Sequence, residues 1–342
     1  MYVLIAKTPA LALSVPNSIE SSLRLRPPRW HERALRRLRF RDCFAHARHA
    51  PVLDSSQQYM LEELRSEGTL ILPGHINSAT VDIMRSEIQS ALESLDFEMP
   101  CLAQSRLDPA RHVQLIRNFL YASPEELRAL GVTFDKEDVS SLTQALTDFQ
   151  PAWLTAYMLE RSETFRKVWL DERILAIVAE YMGLVPKLAE AYVRRNFPTR
   201  YWTMNHYWHR DLNDRFQLLK MFVFLTDCSV ETGPHEFIRG SHADMERLNG
   251  KRYFFDEEVD QLHPVGSRKR LVSEVKVGTV ILEDTRGLHR ARMPNSAFRD
   301  LGYAVFVPLQ DATTTGLYRF PRRAYGSLSK FQRAFIPVCN LV

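Results

Sequence analysis

The chain has 342 residues, 45% of them hydrophobic and 25% charged, with a formal net charge of +4. That length can bury a sizeable core, and the composition excludes collagen-like, coiled-coil and disordered classes. The four cysteines, Cys43, Cys101, Cys228 and Cys339, are scattered with no C-x-x-C pair. This argues against a disulfide framework or a zinc ribbon and fits a reducing compartment.

The opening residues Met1-Tyr-Val-Leu-Ile-Ala are apolar but broken by Lys7 and Pro9, with no basic region ahead of them. No secretory signal is expected, no apolar run reaches the length of a membrane span, and the expected location is the cytoplasm. Residues 1–50 read as a loose leader in which arginines crowd between Arg24 and Arg48, interleaved with Leu25, Trp30, Leu35, Leu38 and Phe40. A short basic helix is expected over 33–41. Such a stretch suits contact with a membrane surface or a carrier protein, and reads more simply as a solvated face. No nucleic-acid partner is expected.

From Gln57 onward Tyr59, Leu61 and Leu64 predict a helix stopped by Gly68, followed by a short strand over 69–73. Asn77 or Ser78 caps a longer helix with Val81, Met84, Ile88, Ala91, Leu92 and Leu95 on one face. More helix is expected over 111–119, 124–130 and 164–183, making 51–185 a helical support. After Pro186 the texture changes to strand-like runs over 188–197, 201–209 and 217–227 and from Phe237, with turn residues between them. Strand rhythm returns over 275–283 and 299–309. Helices first and strands second predict an α+β fold around an antiparallel sheet structure. Residues 245–273 are charged and aromatic and break the rhythm, as a lid or a surface excursion would. Residues 313–342 form a tail with no clear pattern.

The chemistry centres on His206-Tyr-Trp-His209-Arg-Asp211. On an extended strand, residues i and i+2 share a face, so His209 and Asp211 project side by side. His-x-Asp alone is weak, since His242-Ala-Asp244 matches it equally. His242, however, follows a turn that leads into a helix-like segment, where i and i+2 diverge. A second imidazole, His289, would complete a 2-His-1-carboxylate triad, which leaves open positions on a non-haem Fe(II). Arg299 stands shortly beyond, at the head of an apolar run. If the strand over 201–209 is regular, Asn205 and Tyr207 share the face of His209 and are candidate cosubstrate contacts, while Trp208 packs on the other face. Arg290 and Arg292 flank His289, where they could meet an anionic substrate or form salt bridges.

The order and wording of these parts resemble the phytanoyl-CoA dioxygenase family of Fe(II)- and 2-oxoglutarate-dependent oxygenases. The matching pieces are Trp208-His-Arg-Asp211, Phe222-Val-Phe-Leu-Thr-Asp227, Glu231-Thr-Gly-Pro234, Phe237-Ile-Arg-Gly-Ser-His242, and His289 with Pro294-Asn295 and Arg299. The resemblance spans roughly residues 57–310. It implies a double-stranded β-helix, the cupin-like jelly roll, with its core over 186–310 inside an oxygenase domain of 51–312. It also implies that His209, Asp211 and His289 bind Fe(II) and that Arg299 holds the distal carboxylate of 2-oxoglutarate. A guanidinium fork suits that role. O2 is the further cosubstrate, and the expected reaction is hydroxylation of a small organic molecule with release of succinate and CO2. That molecule is expected to be anionic or carrier-tethered. Halogenating relatives lack the carboxylate ligand, so Asp211 disfavours halogenation, whereas desaturation, epoxidation and rearrangement use the same ligands. The alternatives are a catalytically silent cupin-like binding module and a hydrolase or isomerase using another metal, which would not need Arg299.

Overall fold

The computed structural model describes residues 43, 48–99, 139–149, 151–199, 204–211, 218–244, 251–308 and 318–342. The helices expected at 33–41, 111–119 and 124–130 lie outside these residues, as does nearly all of the leader. Helix α1 (Ser55–Glu67) opens on a capping box. The Asp54 carboxylate accepts from Gln57 N, and Gln57 Oε1 accepts from Asp54 N. Such a cap contributes roughly 1 kcal/mol. The helix ends at Gly68, whose φ of 77° is left-handed, and runs straight into β1 (Thr69–Leu72). Gly68 is also required sterically, because a Cβ there would lie 2.3 Å from Nδ1 of His242.

Asn77 caps α2 (Ser78–Glu93), which buries Val81, Met84, Ile88, Ala91 and Leu92. Two short elements then intervene, α3 (Leu142–Phe149) and β2 (Trp153–Ala156). The single helix expected over 164–183 is divided into α4 (Glu163–Trp169) and α5 (Glu172–Met182). The break has a local cause: the Asp171 carboxylate accepts from the backbone of Arg173 and Ile174, which starts a new helix.

The second half forms β3 (Lys187–Asn196), β4 (Trp208–His209), β5 (Leu219–Phe224), β6 (His235–Ile238), β7 (Tyr253–Phe254), α6 (Asp256–Leu262), β8 (Arg270–Ser273), β9 (Val280–Glu283), β10 (His289–Ala291) and β11 (Arg299–Val307). They build a six-stranded sheet in the order β1-β9-β5-β11-β3-β2 and a five-stranded sheet in the order β7-β4-β10-β6-β8. All pairings within the two sheets are antiparallel. This is the expected double-stranded β-helix on an α+β scaffold, and among the described residues the two sheets do not join into a closed barrel.

The pleat assigns the faces of the larger sheet. Ala191, Val193, Met221, Val223, Val280, Leu282 and Ala304 pack with Leu61, Met84, Ile88, Trp169 and Ile177 of the helices in one apolar core. Their strand neighbours Tyr192, Arg194, Lys220, Phe222, Leu301 and Tyr303 turn the other way and line a cavity. Strands covered on both faces show little polar alternation, which is why β5, β9 and β11 read as nearly continuous apolar runs.

Three expectations are corrected. Within the strand expected over 201–209, Met204–His206 form a single 3₁₀ turn and Trp208–His209 form β4, while residues 201–203 lie outside the described residues. Within the segment 245–273, β7 and β8 join the smaller sheet, and Val259 of α6 packs with Trp208 and Phe254, so strand order continues through it. Residues 245–250 lie outside the described residues. The tail is also patterned: α7 (Arg322–Ser327) and α8 (Lys330–Phe335) follow Phe320, and Phe320, Phe331 and Phe335 are buried in the main core. Helices of six residues are too short to display a period. Among the described residues, no helix is long and apolar enough to cross a membrane.

Candidate active site

Strands β4 and β10 pair antiparallel with His209 directly opposite His289. Directly opposed residues point to one face, so the two imidazoles meet with ring centres 4.2 Å apart. Asp211, just past the end of β4, is held by its backbone N–H, which donates to Thr285 O at 2.8 Å. The ligand atoms of His209, Asp211 and His289 all lie within 4.8 Å of one another.

Each histidine is oriented in the same way. Nδ1 of His209 lies 2.8 Å from Tyr207 O, and Nδ1 of His289 lies 3.0 Å from Gly287 O. A carbonyl can only accept, so both Nδ1 atoms carry the proton and both Nε2 lone pairs are left for a metal. Burial, reinforced for His289 by the facing His209 ring, drives both imidazoles toward the neutral form. For His209 the pKa falls from 6.5 to about 4. Burial alone would raise the Asp211 pKa, but Lys220 and the two imidazoles outweigh it and hold the carboxyl well below the usual range. Neutral imidazoles and an ionised carboxylate are the protonation states that metal ligation requires. Two nitrogens and one oxygen, converging in a buried site, therefore fit Fe(II).

The surrounding cavity measures about 230 Å³ and collects side chains from both sheets. Lys220 sets its Nζ 2.5 Å from Asp211 Oδ2. Glu283, fully buried, bonds Nε2 of His235 at 2.9 and 3.1 Å across the sheets. Burial raises the Glu283 pKa, against the pull of His235. Arg299 is 1% exposed and lines the cavity, with Nε and Nη1 buried and no acceptor among the described residues. Its neighbour Asp300 is unavailable to it. That carboxylate is held by Arg195 through two bonds of 2.8 Å, on the opposite face of the sheet.

His209, Asp211, His289, Arg299 and Asn205 thus line one cavity. Tyr207 does not line it, because the 3₁₀ turn Met204–His206 ends the regular period on which the shared face depended. Its backbone carbonyl orients His209 instead. Trp208 packs with Ile238, Phe254, Val259 and Leu288. Arg290 and Arg292 both pair with Glu236, and Arg290 also bonds Asp256 at 2.6 Å. Neither lines the cavity. His242 bonds Arg65 O at 3.1 Å beside Gly68. Sequence reasoning missed Lys220, His235, Glu283 and Arg194. The usable signal was an ionisable residue inside an apolar strand, as in Leu219-Lys-Met-Phe-Val-Phe224 and Val280-Ile-Leu-Glu283.

The family model for phytanoyl-CoA dioxygenase (PhyH) matches residues 64–299. No curated protein matches the chain. Among solved structures, the chain is similar to the non-heme alpha ketoglutarate dependent epimerase SnoN from nogalamycin biosynthesis, at 16% identity over 74% of this chain and 82% of that one, with a TM-score of 0.45. It is similar to HygX from Streptomyces hygroscopicus with nickel, 2-oxoglutarate and hygromycin B bound, at 21% identity over 75% and 88%, with a TM-score of 0.43. It is also similar to EctD from S. alaskensis with 2-oxoglutarate and 5-hydroxyectoine, at 16% identity over 80% and 81%, with a TM-score of 0.46. The family match covers more than half of the chain, including His209, Asp211, His289 and Arg299, and the chain therefore belongs to the phytanoyl-CoA dioxygenase family, as a 2-oxoglutarate-dependent non-haem iron oxygenase.

Proposed function

We propose that this enzyme hydroxylates an unactivated C–H bond of a small organic molecule. In this reading His209, Asp211 and His289 hold Fe(II), and Arg299 holds the distal carboxylate of 2-oxoglutarate. The observation that carries it is one cavity containing both a His-Asp-His cluster with two buried imidazoles and a half-buried carboxylate, and a buried guanidinium with no carboxylate partner among the described residues. The chemistry supplied when Fe(II), 2-oxoglutarate and O2 are bound is oxidative decarboxylation to succinate and CO2, coupled to C–H oxidation.

The chain's own contribution is positioning. Tyr207 O and Gly287 O fix the imidazole tautomers, and Lys220 holds the Asp211 carboxylate in place through Oδ2, the oxygen that also faces His289 Nε2 at 3.6 Å. Phe222, Leu301 and Tyr303 supply apolar wall, which excludes water around the reacting centre. Asp211 supports hydroxylation over halogenation, since a carboxylate occupies the place a halide would need. The test is an anaerobic titration of the full-length apoprotein with Fe(II) and 2-oxoglutarate, following the visible charge-transfer band of the chelate. The expected result is a band in the wild type and none in His209→Ala. If Fe(II) and 2-oxoglutarate both fail to bind the wild type, the proposal is wrong.

A further inference from the structure

The cavity holds a second guanidinium without a counter-ion among the described residues. Arg194 lies on β3 opposite Leu301, one pleat repeat along from the Asn196–Arg299 pair. Its guanidinium carbon stands 4.8 Å from the ring centre of Trp153, 4.8 Å from that of Tyr192 and 5.5 Å from that of Tyr303. Tyr192 and Tyr303 stack on each other at 5.0 Å. Trp153 reaches this wall from β2, the edge strand contributed by the helical half, and all four side chains line the cavity. Arg194 Nε is buried without an acceptor, and among the described residues no carboxylate is within ion-pair distance of the group.

Neighbouring arginines show what a neutralised one looks like here. Arg195, the next residue, is doubly bonded to Asp300, and Arg290 and Arg292 share Glu236. Among the described residues, Arg194 and Arg299 are the two arginines that line the cavity, and both keep buried donors unfilled there. Aromatic faces stabilise a cation but offer it no in-plane acceptor, so stacking leaves the fork of Arg194 available. The ligand that fits a planar fork bidentately is a carboxylate. One such anion is accounted for by the cosubstrate at Arg299, which leaves Arg194 for another.

We propose that Arg194, walled by Trp153, Tyr192 and Tyr303, is the recognition point for a carboxylate on the primary substrate, whose apolar or aromatic body lies along the three rings. This rests on the reading that Arg299 takes 2-oxoglutarate. It assigns the anionic character of the substrate to β3, and not to the arginines beside His289.

The test uses the full chain with Fe(II) and 2-oxoglutarate under anaerobic conditions. Calorimetric titrations compare phenylacetate and indole-3-acetate with their uncharged amides, with the chelate band monitored throughout. The expected result is that the wild type prefers the acids. Arg194→Gln should weaken acid binding about tenfold to a hundredfold, the worth of a charge-assisted bond, while leaving amide binding and the 2-oxoglutarate midpoint unchanged. Arg194→Lys keeps the charge over the rings but not the fork, and should lose most of the preference even if the Gln variant fails to fold. Equal binding of acids and amides by the wild type would overturn the proposal. So would an Arg194→Gln variant that needs more 2-oxoglutarate, because Arg194 would then belong to the cosubstrate. Absence of the chelate band before any probe is added would instead strike the Arg299 reading.

Discussion

Arg299→Met separates a ligand-binding guanidinium from a structural one, because the two roles predict opposite signs. The side chain is 1% exposed, two of its nitrogens lack an acceptor, and the adjacent Asp300 is already saturated by Arg195. In the unliganded protein the guanidinium is thus a buried cation with no carboxylate partner among the described residues. Removing it while keeping an apolar stem should not lower the unfolding free energy by more than about 1 kcal/mol, and can raise it. Binding of 2-oxoglutarate should suffer instead. Each charge-assisted hydrogen bond is worth about 1.5–3 kcal/mol, and two bonds to one carboxylate are not additive, so the expected loss is roughly a hundredfold. The assays are the anaerobic chelate titration for affinity and urea unfolding of the metal-free protein for stability. A variant that binds 2-oxoglutarate normally but loses about 3 kcal/mol or more of stability would refute the reasoning, since that is the signature of a broken buried pair.

Other outcomes follow from the same geometry. Asp211→Ala removes the proposed oxygen ligand and strands Lys220, so bound iron measured after dialysis should fall to background while the variant stays folded by circular dichroism. Gly302→Ala places a Cβ 2.4 Å from the Trp169 ring and 3.2 Å from Val223. Overpacking of this kind costs about 1–3 kcal/mol, visible as a lowered urea midpoint with an unchanged slope. Asp171→Ala removes the cap of α5 and should cost about 1 kcal/mol in the same assay. The metal-free protein should lose stability as pH falls. His209 has a folded pKa of about 4 against an ordinary 6.5, so between those values the unfolded chain binds the extra proton. Denaturant midpoints that do not fall across that window would contradict the buried, neutral assignment.

Much of the site was legible because its grammar is local. His209 ends β4 and Asp211 follows two residues later, a spacing that keeps the two side chains close, with the Asp211 backbone then tied to Thr285 O. Gly68 and Asn77 were readable as a helix stop and a helix cap for the same reason, each acting on backbone groups within one turn. Tyr207 shows where that grammar stops. The same period-two argument placed it beside His209, but the chain between Met204 and His206 takes a 3₁₀ turn, and the phase is lost. The short elements Trp153–Ala156, Tyr253–Phe254 and Arg322–Ser327 were hidden because two to six residues carry too little periodicity to register.

By itself, the sequence determined the candidate ligand types, their order along the chain and the division into a helical half and a stranded half, since spacing and local propensity act within a few residues. Only the tertiary structure decided the company those ligands keep. Lys220 beside Asp211, His235 bonded to Glu283, and Arg194 against Trp153 and Tyr303 are contacts made between strands or across sheets. The physical reason is that an unpaired or paired buried charge is a property of what faces it. The facing residue is chosen by strand register, which no local pattern encodes.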